Sequence, residues 1–319
     1  MTVRVGLVGA GAVGARHART LAGFDDVELV AVYDPVVESA ETLAGELAVR
    51  TAGDVANLLT AGLDAVWLCV PPFAHGELEL SVVRAGLPLF IEKPLAADLS
   101  VAERVVDAVA AAGLPTATGY HWRHLDTVDR ARSSLSGTAV RLVNGRWWGT
   151  TPPPPWWSRQ DRSGGQVVEQ ATHVLDLVRV LAGEVVEVVG GAAPSSAGGR
   201  DVPDATAAVL RFHSGAVGTV STSCVLPAFT AAGLDVIGDG IAVTLTETAL
   251  RISTRDGDEH AEPTVDGRTA VDRAFIDVLS GGAPAPGLVD VPEALRTHRL
   301  AWAVSEAART SAAVRVGGR

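Results

Sequence analysis

Val3-Arg4-Val5-Gly6-Leu7-Val8 followed by Gly9-Ala10-Gly11-Ala12-Val13-Gly14 is the stretch whose reading decides the fold. The first six residues are a short β-branched run that predicts a strand. The next six spell G-x-G-x-x-G, and residues 15–21 continue with helical character. Strand, glycine loop and helix in that order give the motif its weight. Gly9 permits a tight turn, Gly11 lets backbone approach a pyrophosphate, and Gly14 lets helix pack on strand. The helix N-terminus then offers unpaired N–H groups and partial positive charge to phosphates. A second predicted strand, 28–33, ends at Asp34, twenty residues beyond Gly14. An acid there accepts hydrogen bonds from an adenosine ribose and repels a 2′-phosphate, which favours NAD over NADP.

The alternation continues. Helical patterns are expected at 36–47, 54–60, 75–85 and 100–112, and strands at 65–70, 87–91 and 115–119. Such alternation predicts a parallel, doubly wound sheet. Ligands sit at the carboxyl ends of its strands, where Val70, Pro71, Pro72, Glu92, Lys93 and Tyr120 fall. Lys93 is the one lysine against twenty-five arginines. A guanidinium stays protonated at any working pH, whereas a lysine can surrender its proton, so the exception points to proton transfer.

From Tyr120 the texture changes. A helix is expected at 125–135 and a strand at 138–148, followed by an irregular stretch, 150–163, with Pro152-Pro153-Pro154-Pro155. Four of the seven tryptophans, Trp147, Trp148, Trp156 and Trp157, lie in or beside it. A long loop of this kind is usually functional, and its aromatic faces suit a sugar or cyclitol ring. Trp157 and Arg159 are its substrate-binding candidates. One helix is expected over 166–182, with Val174, Val178 and Leu181 facing the core and Glu169, His173 and Asp176 on another face. Strands are expected at 185–191, 206–213, 216–225, 233–238, 241–246 and 250–253, meandering antiparallel through turns such as Ser214-Gly215 and Asp239-Gly240. Two helices, 269–279 and 291–310, close the chain.

Bulk properties set limits. The chain has 319 residues and a formal net charge of −11, with no basic run, so nucleic acid is not an expected partner. No apolar stretch approaches the roughly 20 residues that span a bilayer, so no membrane is expected either. Because a strand is predicted from Val3 on, no secretory leader is expected, and the two cysteines, Cys69 and Cys224, form no ligand spacing. The expectation is a cytoplasmic protein without a metal site.

With these pieces in order the sequence resembles the glucose-fructose oxidoreductase / inositol dehydrogenase / MocA family over essentially its whole length. The signatures are the Gly9–Gly14 loop, Val70-Pro71-Pro72 with His75, Glu92-Lys93-Pro94, and Gly164-Gly165 followed by Glu169 to Asp176. The resemblance implies an NAD-binding Rossmann domain, 1–120, and a substrate-binding and oligomerisation domain, 121–319, with a large open, mainly antiparallel sheet. It implies homodimers or homotetramers through that sheet, and hydride transfer between nicotinamide and a sugar, cyclitol or related polyol. It assigns proton handling to Lys93 and His173, which would also touch substrate. The family's helix carries Asp four residues before His, with Gly midway; here Glu169 and Ala171 stand there, making Glu169 a candidate catalytic and substrate-contact residue. An NAD-retaining glycosidase and a non-catalytic NAD-dependent sensor are the alternatives on the same fold.

Overall fold

The structure, a computed structural model, describes residues 2–317, which form two compact units. The first gathers the residues up to Ala96 with Ser100–His121 and Gly267–Leu295; the second holds Ala97–Leu99, Trp122–Asp266 and the chain from Arg296 on.

Six parallel strands build the first unit: β1 (Val3–Val8), β2 (Val27–Tyr33), β3 (Arg50–Thr51), β4 (Ala65–Leu68), β5 (Leu89–Ile91) and β6 (Thr116–Thr118), in the order β3-β2-β1-β4-β5-β6. Every residue of β4, β5 and β6 is buried, as expected of strands covered on both faces. The order reverses between β1 and β4, and the chain leaves both strands there as loops. The exposed pair β3 had no apolar pattern to announce it.

The helix Gly267–Leu279 corrects the expected boundary. Val271, Phe275 and Ile276 on it share one core with Val5, Leu7, Trp67 and Phe90. Thr118 N–H donates to the Val289 carbonyl at 2.8 Å, so residues near 289 close the edge beside β6. Residues 267–295 therefore group with the doubly wound sheet, not with residues 122–266. An apolar stripe announces that it will be buried, but not against which core.

Nine strands form the second unit's sheet: β7 (Val140–Trp148), β8 (Val185–Ala193), β9 (Ala205–Phe212), β10 (Val217–Ser223), β11 (Ala231–Gly238), β12 (Ile241–Thr246), β13 (Leu250–Thr254), β14 (Gly257–Ala261) and β15 (Val314–Arg315). Their order is β14-β13-β12-β11-β7-β10-β9-β8-β15. The simple meander is interrupted, because β7 inserts between β10 and β11 and pairs parallel with β10. All other pairings are antiparallel. Period-two burial marks the two faces: Thr206, Ala208, Leu210 and Phe212 are buried, while Val209 and Arg211 face out.

The inner face is covered by the helix Thr172–Ala182, whose Val174, Leu175, Leu177 and Val178 join Val143, Leu210, Val220, Leu234 and Val236. Each such side chain contributes roughly 1.5–3 kcal/mol on full burial, enough to set this helix's position whatever its termini do. Its beginning differs from expectation. The predicted single helix is two, Gly165–Glu169 and Thr172–Ala182, because the N–H groups of Gln170 and Ala171 both turn back to the Gln166 carbonyl. Neither Gly nor Pro occupies 170 or 171, so no local breaker announced the interruption.

Candidate active site

In the first unit the glycine loop shows tight packing at two of its three glycines. Gly9 has φ +98°, and a Cβ there would lie 2.2 Å from the Cys69 carbonyl oxygen. At Gly14 a Cβ would fall 1.9 Å from the Gly9 carbonyl oxygen, while at Gly11 it would meet nothing within 4 Å. Close packing at two glycines and open space at the third leave room for a phosphate over Gly11. The helix Ala12–Ala22 begins just beyond with no side-chain cap, so its leading N–H groups are available to an anion. Ala10, Ala12 and Val13 complete the loop.

Asp34 has a further task that the sequence did not announce. Its two carboxylate oxygens accept N–H bonds from Ala10 at 2.7 Å and from Val36 at 2.8 Å. The acid thus staples the glycine loop to the end of β2. A carboxylate has about four lone-pair sites, so two remain for ribose hydroxyls.

Val70 and Pro71 follow β4, and Pro72–Ala74 makes one short helical turn. His75 is buried, with Nδ1 2.5 Å from Glu79 Oε1, and Glu79 Oε2 accepts the Gly76 N–H. Nδ1 is assigned as the donor because its partner is a carboxylate, which leaves Nε2 as an acceptor. That Nε2 is buried without a protein partner. An orphaned buried nitrogen just beyond β4, the strand next to β1, fits a hydroxyl or amide donor of a dinucleotide cofactor.

Glu92 and Lys93 stand at the end of β5. Glu92 is almost fully buried; its Oε2 accepts the Lys93 backbone N–H at 2.9 Å, and its Oε1 lies 2.9 Å from His17 Nε2. The other ring nitrogen of His17 reaches Asp272 at 2.7 and 2.9 Å, and the Trp67 indole donates to the same carboxylate at 2.9 Å. Burial alone would strip the His17 proton, but the charge and hydrogen bond of Asp272, then those of Glu92, push its pKa up to about 9. Burial likewise opposes ionisation of Glu92; the His17 hydrogen bond and charge, with help from Lys93 and Arg16, hold it at about 2. Tyr120 is also buried here, its N–H on the Thr118 carbonyl.

This network has a signed effect on stability. His17 holds its proton more tightly when folded, so its contribution is complete below its ordinary 6.5 and fades as pH rises through about 9. Glu92 releases its proton more readily when folded, so its contribution is complete above 4.5 and fades as pH falls toward about 2. The stability difference between wild type and His17→Gln, from urea titrations, is expected to be flat between about pH 4.5 and 6.5 and to shrink toward pH 9. A difference that grows with pH would contradict a cationic His17.

In the second unit, Trp157 and Glu169 come together, and His173 stands in an aromatic stack with Trp122 and Trp147. Trp157 is fully buried with Val202 and Cys224, and its indole donates to Glu169 Oε2 at 2.7 Å. The sequence reading offered this ring as a face for substrate; burial makes it instead the anchor of a carboxylate. Arg159 is turned to the surface, 3.5 Å from Asp161 and 3.4 Å from Asp201. His173 lies in an aromatic stack, its ring centroid 5.6 Å from Trp122 and 6.3 Å from Trp147, with interplanar angles of 14° and 22°.

Of the titratable stripe, His173 and Asp176 are buried and Glu169 is half-buried. Asp176 accepts a two-point bond from Arg123, 2.6 Å on each oxygen, and another from Thr297 Oγ1 at 2.8 Å. It is a structural anchor of the helix that carries His173. Sequence reasoning missed His17, Trp67, Trp122, Asp272 and the role of Asp176. His17 lies three residues past the glycine loop on its helix, the one local signal available.

A doubly wound domain with a dinucleotide loop, joined to an open-sheet unit that carries a buried histidine, defines a class of nicotinamide-dependent enzymes. Comparison with known proteins gives the family. Residues 3–120 match the oxidoreductase family with NAD-binding Rossmann fold, and residues 137–243 match the GFO/IDH/MocA C-terminal domain. An inositol 2-dehydrogenase of Rhizobium meliloti is 30% identical over 230 residues, 70% of this chain and 69% of that protein. A myo-inositol dehydrogenase of Streptomyces leeuwenhoekii is 34% identical over 228 residues, 69% of each. The WlbA dehydrogenase of Bordetella pertussis, solved with NADH and UDP-GlcNAcA, covers 100% of each chain at a TM-score of 0.89 and 23% identity, a likeness of fold. The chain belongs to the glucose-fructose oxidoreductase / inositol dehydrogenase / MocA family and is an oxidoreductase with an NAD-binding Rossmann fold. Among the described residues, no helix is long and apolar enough to cross a membrane, and no cluster of His, Cys, Asp or Glu could hold a metal ion.

Proposed function

We propose that the protein oxidises a hydroxyl-bearing carbon of a cyclitol, sugar or related polyol, and that Lys93 and His173 handle the hydroxyl proton. Bound NAD supplies the hydride acceptor. The observation that carries the substrate class is the aromatic stack at His173. Trp147 is half-buried there, and exposed Phe229 packs edge-on against it at 6.1 Å. An indole beside a polar group suits a ring with apolar C–H faces and a hydroxyl rim. The inositol dehydrogenases among its relatives support the same class. A panel of polyols, sugars and sugar acids with NAD⁺ and NADP⁺, followed by absorbance of reduced cofactor, tests it. Turnover of none of them would sink the reading.

Within this proposal Lys93 serves as acid/base, and His173 orients or relays the same proton. Glu169, fixed through Trp157, contacts a substrate hydroxyl. Glu169→Gln is then expected to raise KM and reorder the preferred substrates, while His173→Ala lowers kcat by about 100-fold or more. A pure turnover defect in Glu169→Gln, with KM and ranking unchanged, would assign it to orientation instead.

Asp34 is proposed to set NAD over NADP, since a second negative charge beside its carboxylate is repelled and Pro35 has no N–H to offer a phosphate. Asp34→Ser is expected to narrow the ratio of kcat/KM for the two cofactors. Because Asp34 also staples the loop, the KM for NAD should rise in the same variant; an unchanged ratio would place discrimination elsewhere.

Copies are proposed to pair as a homodimer or homotetramer through the outer face of the nine-stranded sheet. Val209, Val217 and Ile237 are exposed there around the Arg146–Asp235 ion pair. Sedimentation measures this directly. A cytoplasmic location is proposed from the two buried, unbridged cysteines.

A further inference from the structure

We propose that His17 is a positioning residue for Lys93: by bridging Asp272 and Glu92 it fixes the carboxylate that holds the Lys93 main chain. The proposal rests on the assignment of Lys93 as the acid/base. Its basis is a continuous chain of short contacts within the first unit. Trp67 Nε1 donates to Asp272, Asp272 accepts from His17 Nδ1, His17 Nε2 donates to Glu92 Oε1, and Glu92 Oε2 accepts the Lys93 N–H. His17, Asp272 and Glu92 are each at most 5% exposed, so water does not compete for these bonds.

The arrangement also accounts for the return of residues 267–295 to the first unit. Removing an ion from water is costly, and that cost is offset only where partners are close and fully hydrogen-bonded. Glu92 buried beside Lys93 needs a cationic partner. His17 supplies it, but a buried imidazolium facing one carboxylate would leave its second N–H unmet. Asp272, 255 residues away in sequence, completes the set. Other groups around His17 do not replace these roles. Arg16, on the same helix, lies 3.6 Å from Glu92; its 3.4 Å approach to His17 Nε2 finds no acceptor when both ring nitrogens are protonated. Cys69, beyond β4, is kept as the thiol by burial and by the two carboxylates. Phe90 packs on the ring at 5.1 Å and carries no charge.

Deprotonation of His17 would remove one of the two N–H donors and release Glu92 from its fixed position. Turnover should therefore fall as pH rises through about 9. Replacing Asp272 by Asn removes the largest influence that raises this midpoint, so the fall should move to lower pH.

The solitary lysine makes the experiment clean, because protein labelled with ¹⁵N-lysine shows a single backbone amide resonance, that of Lys93. In wild type its shift is expected to follow a titration near pH 9 that kcat on the best polyol also follows. In Asp272→Asn both midpoints should move down together, and in His17→Gln the amide should be flat through this range with kcat reduced about 10-fold or more, a loss expected of misplacement by well under 1 Å. Trp67→Phe, which deletes one donor to Asp272 and little volume, should shift the midpoint less and serves if the charge variants fold poorly. An amide without a titration near pH 9 in wild type, or with the same midpoint in wild type and in whichever of the Asp272→Asn and Trp67→Phe variants folds, overturns the proposal. Lys93→Arg in the same assay separates the two readings. If it keeps turnover, the acid/base assignment has failed; if it loses turnover while the Lys93 amide ignores His17, only the positioning role has.

Discussion

Lys93→Arg is expected to bind NAD like the wild type and to turn over at least about 100-fold more slowly, the lower range for general acid–base catalysis. The substitution is informative because of what it preserves. Glu92 owes part of its low pKa to the Lys93 charge, and arginine keeps that charge beside it. The backbone N–H that donates to Glu92 is also unchanged. What disappears is the ability to give up a proton at working pH. Lys93→Met, which removes charge and proton together, should lose turnover and also weaken the Glu92 network, with a lower urea midpoint. Near-normal turnover in Lys93→Arg would remove the side chain from the proton path and make its solitude in the sequence an accident.

The largest expected effect on stability comes from a residue with no chemistry of its own. A Cβ on Gly119 would lie 2.4, 2.5 and 2.7 Å from Glu92 Oε1, Cδ and Oε2. The carboxylate cannot retreat without giving up His17 or the Lys93 N–H. Overpacking alone costs about 1–3 kcal/mol. Separating a buried charge from its partners costs about 3–5 kcal/mol, so the second effect dominates if the carboxylate moves. Gly119→Ala is therefore expected to destabilise the first unit by about 3 kcal/mol or more, read from its urea transition. Glu92→Asp in the same chain draws the carboxylate back by about 1.5 Å, one C–C bond, and should recover part of the loss. A Gly119→Ala chain as stable as wild type would show that Glu92 is held loosely.

The sequence by itself determined the elements whose information is local. The strand, glycine loop and helix of residues 3–22, the acid at 34 and the solitary lysine at a strand end are all contained in short windows. The β9 and β10 strands are legible from the turn signal Ser214-Gly215 between two strand-forming runs, because a tight turn is a property of neighbouring residues. Only the tertiary structure decided which elements meet. It placed β7 between β10 and β11, and it returned the helix Gly267–Leu279 to the first core. It broke the expected helix at 170–171, and it turned Trp157 inward to hold Glu169. The same holds for charge. Asp272 reads in sequence as one acid among many on an amphipathic helix. Opposite His17, out of water, it is the group that keeps an imidazolium charged and, through Glu92, holds the main chain of Lys93. Periodicity is written into neighbouring residues, whereas the energy of a buried ion depends on partners that the chain brings back from 255 residues away.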